Sequence, residues 1–144
     1  MSNTSKETCL CIDLRSAAQK LTQMYDEVMA PAGITVTQFS QLHLILTLDG
    51  PTLTELAAAS DLERSTLGRN IRVLEKQGLV SMAVGEDART RTIHLTREGK
   101  AAFKRAVPLW HSVQTSLLER LGPAGREPFD DLLTTLTAPM AATQ

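Results

Sequence analysis

Nowhere in the sequence does an apolar run approach the roughly 18 residues that a membrane span needs. No basic-then-apolar segment stands at its start, so a cytoplasmic protein without membrane contact is expected. Cysteine is scarce. Cys9 and Cys11 are the only two in 144 residues, too few and too close together to form a disulfide framework. His43, His94 and His111 are scattered along the chain, without the clustering a metal site needs, and no metal or other cofactor is expected. A nucleophile–base motif, a glycine-rich phosphate loop and an H-x-x-x-H pair are all missing. These absences argue against an enzyme and leave a redox enzyme built on Cys9 and Cys11 as the catalytic alternative. Internal repeats and low-complexity linkers are absent too, and the length suits one domain able to bury a core.

The net charge of −1 points neither to nor away from nucleic acid, but the charges are unevenly placed. Glu63 to Arg105 holds ten Lys and Arg against five Asp and Glu, whereas the rest of the chain holds five bases and eleven acids. A basic middle between acidic ends implies a local anion-binding face.

Periodicity gives the element order. Cys11, Leu14, Ala18, Leu21, Tyr25 and Val28 recur at helical spacing and predict a first helix over about 11–30, stopped by Pro31 and Gly33. Residues 37–48 predict a second, heavily buried helix with Thr37 as its N-cap. After the break at 49–51, "TLTELAAAS" and "RSTLGRNIRVLEKQ" predict two short helices separated by "SDLE", with Gly78 closing the second. Residues 79–84 and 92–96 are β-prone and flank "GEDARTR", a small hairpin with a charged tip. Thr96 caps a long helix to about Leu121, with Phe103, Ala106, Trp110, Val113 and Leu117 on one stripe and Pro108 inside it, a residue expected to bend it. "GPAG" ends that helix, and Pro128 to Thr137 forms the last. The fold class is therefore mainly α with a two-stranded β wing, in the winged helix-turn-helix order.

In that order the second helix of the pair projects into the major groove and the wing reaches the neighbouring backbone or minor groove. At about 100° per residue, Leu67, Ile71 and Leu74 share one face. Ser65, Thr66, Arg69, Arg72 and Lys76 fall opposite, and Arg64 and Asn70 on the same helix are further candidates for DNA contact. Arginine can bond guanine in bidentate fashion, hydroxyls can bond bases or phosphates, and lysine neutralises phosphate. The competing reading is a solvated amphipathic helix, or a winged helix used only for protein contacts.

"DARTRTIHLTREG" fits the wing pattern of the MarR family of bacterial regulators through Asp87, Arg89, Leu95, Thr96 and Gly99. "LTELAAASDLERSTLGRNIRVLEKQGLV" resembles that family's helix-turn-helix, and the resemblance runs from about Cys11 to Leu136. It implies a DNA-binding transcriptional regulator, a repressor in most such cases, with Arg89 as a minor-groove finger, Asp87 bracing it by an ion pair, and Arg91 on a phosphate. Two positions depart from the pattern. Glu63 replaces a Ser-like N-cap, and Gly68 replaces a frequent Thr, at a cost in helix propensity and in one base contact. The resemblance further implies a homodimer on a palindromic operator, with the helices at about 11–30 and 97–138 interlocking and about 37–96 forming the winged part of a single domain, 1–144.

"CLCIDLRSAAQKLTQMYDEVMAP" resembles the first helix of the family's organic-peroxide-sensing branch. Cys11 matches the reactive cysteine and Tyr25 one of the tyrosines found near it, while Arg15 and Val36 replace two others. Arg15, one turn from Cys11, would favour the thiolate. Cys9 is read as a helper, because a C-x-C pair within a helix cannot close a relaxed disulfide. A small aromatic or phenolic effector is the other option, for which Arg15, Tyr25, His43 and Trp110 have suitable chemistry.

Overall fold

The computed structural model describes residues 8–141. In chain order they form α1 (Leu10–Met29), a 3₁₀ turn (Ala30–Ala32), α2 (Val36–Leu48), α3 (Leu53–Ala59), α4 (Arg64–Lys76), β1 (Val80–Val84), β2 (Arg91–Leu95), α5 (Arg97–Leu121) and α6 (Glu127–Thr137). The chain divides into two compact units, 1–110 and 111–144. No helix among the described residues is long and apolar enough to cross a membrane.

The first unit is built on one apolar cluster. Leu42 and Ile45 of α2, Leu56 of α3, and Leu67, Ile71 and Leu74 of α4 are all essentially inaccessible. Each such side chain stabilises the unit by about 1.5–3 kcal/mol relative to exposure. Ala102 and Ala106 bring α5 onto this cluster. Between α2 and α5 runs a ladder of offset rings: Phe39 lies 4.9 Å from Phe103 and 5.6 Å from Trp110, and Phe103 lies 6.0 Å from His43. Pro108 sits inside α5.

The start of α2 differs from expectation. Thr35, not Thr37, is the cap: its hydroxyl accepts from Gln38 N at 3.2 Å while Gln38 Oε1 accepts from Thr35 N at 3.1 Å. This reciprocal box satisfies two otherwise orphaned N–H groups. Thr37, with Ser40 three residues on, lacks the glutamine that completes it.

β1 and β2 pair antiparallel from Val80↔Leu95 to Val84↔Arg91. The hairpin is also tied to the start of α3, a connection periodicity did not reveal. Ile93 N donates to Pro51 O at 2.8 Å, and Thr52 bridges Thr92. The wing is thereby fixed to the helix pair.

The second unit holds the end of α5 and α6, joined through Gly122 (φ 83) and Gly125 (φ 64). An Arg126–Asp130 pair at 3.0 Å spans the first turn of α6. Phe129, Leu132 and Leu136 form an exposed apolar stripe along it.

Candidate nucleic-acid interface

Residues 60–63 turn α3 into α4. On α4, Arg64, Ser65, Arg69, Arg72 and Lys76 are exposed, Thr66 and Asn70 are half-buried, and Leu67, Ile71 and Leu74 are fully covered. The inward and outward faces thus lie where the 100° spacing put them. Arg69 Nη2 donates to Thr66 Oγ1 at 3.4 Å, holding the guanidinium along the outer face. Glu63 occupies the N-cap without a side-chain cap bond, so it contributes little to ordering the first turn.

Gly68 is a different matter. A Cβ there would meet Leu53 Cδ2 at an ordinary 3.7 Å. The first atom of a side chain at this position would rest against Leu53 of α3. Gly68→Ala is expected to stabilise the protein by about 0.5–1 kcal/mol through helix propensity. The check is a rise in the urea midpoint at unchanged m-value.

The wing tip corrects the expected ion pair. Asp87 Oδ1 accepts from the backbone N of Arg89 at 3.0 Å, and Asp87 O accepts from Thr90 N and Thr90 Oγ1, both at 2.9 Å. Asp87 therefore folds the tip as an Asx turn; it braces the backbone that carries Arg89, whose guanidinium makes no ion pair among the described residues. The physical reason is reach: a short carboxylate two residues before an N–H meets it at the cost of one rotamer. Arg91 also has a role beyond the expected phosphate contact, since its Nη1 donates to Ala88 O at 3.2 Å and Thr90 O at 3.3 Å.

Arg64 from α4 and Arg89 and Arg91 from the wing line one cleft of about 590 Å³, with Thr52 and Thr54 at the start of α3 and Glu55 beside them. Sequence spacing could not place Arg64 beside the wing, and it overlooked the two threonines. Among the described residues no cluster of His, Cys, Asp or Glu suits a metal.

The residues suggested for sensing are spread out. Cys9 and Cys11 are both exposed. Cys9 is the N-cap of α1 in extended conformation, so Cys11 lies within the helix and Cys9 at its edge. Arg15 is exposed, and Tyr25 is half-buried against the core. Cys11 and Tyr25 stand on one helix, separated along its axis by about 21 Å. His43 lines a groove of about 540 Å³ with Val36, Ser40, Gln41, Leu44 and Leu62, and neither Arg15 nor Tyr25 is among its lining residues. Gln41, 4% exposed, buries its Nε2 at that groove without a hydrogen-bond partner among the described residues.

A family model described as MarR family matches residues 32–90. The M. tuberculosis transcriptional regulator MosR, solved in complex with DNA, is 41% identical, with 91% of this chain and 98% of that one covered and a TM-score of 0.78. An uncharacterised HTH-type transcriptional regulator of Bacillus cereus is 33% identical over 97 residues, which cover 67% of this chain and 65% of that relative's length. The organic hydroperoxide resistance transcriptional regulator of Bacillus subtilis is 27% identical over 104 residues, 72% of this chain and 71% of its own.

Proposed function

Since the chain belongs to the MarR family of transcriptional regulators, we propose that it binds a palindromic operator in duplex DNA as a cytoplasmic homodimer, as a repressor released by thiol oxidation or a small ligand. The observation that carries this reading is the outer face of α4 standing beside the arginine-lined cleft of the wing. Ser65, Thr66 and Arg69 reach base edges; Asn70 supports them. Arg64, Arg72, Lys76 and Arg91 meet phosphates, and Arg89 enters the minor groove. Dimerisation is supported by apolar surface the chain leaves open: Leu10, Leu14, Leu21 and Val28 on α1, Leu118 and Leu121 on α5, and the stripe on α6. Exposed apolar side chains repeated along a helix face mark interaction surfaces.

The thiol reading is favoured by the exposure of Cys11 and by the name of the B. subtilis relative. An organic hydroperoxide oxidises the Cys11 thiol to a sulfenic acid and leaves as its alcohol. Cys9, at the helix cap of the second copy of the chain, resolves it by condensing to an intermolecular disulfide with loss of water. Tyr25 can approach Cys11 only across the dimer, given their separation on α1. The ligand reading is favoured by the unpartnered Gln41 amide at the His43 groove, where an aromatic molecule with an acceptor group would satisfy it.

Selection of bound sequences from random duplex DNA tests the core reading and is expected to return a two-fold symmetric site. Titration with cumene hydroperoxide is then expected to release the wild type and Cys9→Ser but not Cys11→Ser. Equal insensitivity of all three would move the effector from oxidant to ligand. A winged helix used only for protein contacts would select no DNA.

A further inference from the structure

The wing separates α4 from α5 in sequence, yet the ends of these helices meet. Thr96 Oγ1 accepts from Gly99 N at 3.0 Å and so caps α5. The same hydroxyl donates to Gly78 O at 2.6 Å, and Thr96 N donates to Leu79 O at 3.0 Å. Gly78, at φ 75, directly follows Gln77, the C-cap of α4. No slack remains in the joint, because a Cβ at Gly99 would collide with the Leu79 carbonyl. A second tie holds the same end of α4: Gln38 Nε2 donates to Gln77 Oε1 at 2.9 Å, while Gln38 Oε1 completes the cap of α2. Both ties lie at the C-terminal end of α4, whereas Ser65, Thr66 and Arg69 lie toward the other end.

We infer that Thr96 is a positioning residue for DNA recognition, joining α4 to the start of α5 as one rigid lever so that the setting of α5 fixes where the recognition helix points. This rests on the dimeric DNA-reading proposal above. Thr96 has the chemistry for such a joint. One hydroxyl spends its proton on α4 and its lone pair on α5, so neither helix end can rotate without breaking a bond. The geometry amplifies small errors. A tilt of about 10° at the fixed end of a helix about 20 Å long moves its far end by about 3.5 Å, one base-pair step. Two half-sites one turn, about 34 Å, apart would then lose register.

The test uses the full chain, fluorescence anisotropy, and the selected operator alongside duplexes with one or two base pairs inserted between half-sites and a duplex carrying a single half-site. Wild type must first bind the selected operator better than the single half-site; failure there defeats the dimeric reading, not the joint. Thr96→Val keeps the side-chain shape and removes the hydroxyl. It is expected to lose about tenfold in affinity for the native spacing, to keep its affinity for the single half-site, and to stop discriminating the inserted duplexes. Thr96→Ser is expected to behave as wild type. A mere helix cap would instead lower the melting temperature of Thr96→Val while leaving spacing discrimination intact, and that result would overturn the inference. Should Thr96→Val fail to fold, Thr96→Asp decides, since a carboxylate can still accept from Gly99 N and cap α5 but cannot donate to Gly78 O: relaxed spacing discrimination supports the lever, and unchanged discrimination overturns it.

Discussion

Gly99→Ala is expected to destabilise the protein by about 3 kcal/mol or more. Gly99 is buried in the first turn of α5, and the atom an added methyl would strike is the backbone carbonyl oxygen of Leu79. A flexible side chain could swing aside; this carbonyl cannot. It accepts from Thr96 N, and the adjoining Leu79 and Val80 side chains are 9% and 2% exposed in the core. Relief would require α5 to lift off the start of β1, uncovering Ala102 and Ala106. Against a total stability of about 5–15 kcal/mol, that loss is a large fraction. Urea unfolding followed by far-UV circular dichroism checks it. A wild-type midpoint for Gly99→Ala would show that the two backbones do not approach as described.

Arg89→Ala is expected to cost about 1–3 kcal/mol of operator binding while leaving the fold intact. Arg89 is exposed at the wing tip, and its side chain makes no hydrogen bond or ion pair among the described residues; the turn is maintained by Asp87, Thr90 and Arg91. The slope of log affinity against log salt should also fall by about one unit if the lost contact includes a phosphate. Asp87→Ala should produce a smaller defect of the same kind, because it loosens the backbone that presents Arg89 without removing the charge. Arg69→Ala should differ in kind, relaxing sequence preference at one position of each half-site. The readouts are gel-shift affinity for the selected operator, salt titration, and thermal melting. Retained affinity in Arg89→Ala would make the wing a bystander to DNA binding.

The two faces of α4 were legible in the sequence because a helix turns by a fixed angle per residue. Leu67, Ile71 and Leu74 could therefore be assigned inward and Arg69 and Arg72 outward with no knowledge of what lay on either side. The wing was legible for a similar reason, two β-prone runs around a Gly-led polar tip. The cap at Thr35 was written in the sequence as Thr-x-x-Gln, and a threonine two residues later drew attention from it. Other features had no local signal. Whether Asp87 would meet the guanidinium or the backbone of Arg89 depended on the turn the hairpin adopted. Arg64 and the wing arginines share a cleft because Pro51 and Thr52 add a rung to β2, a contact between segments forty residues apart. The requirement for glycine at 99 exists solely because β1 delivers Leu79 O to the first turn of α5. Periodicity and capping act within a few residues and are written in the order of the chain. Approach between backbones distant in sequence is decided only when the core closes, and it is there that α4 is joined to the start of α5.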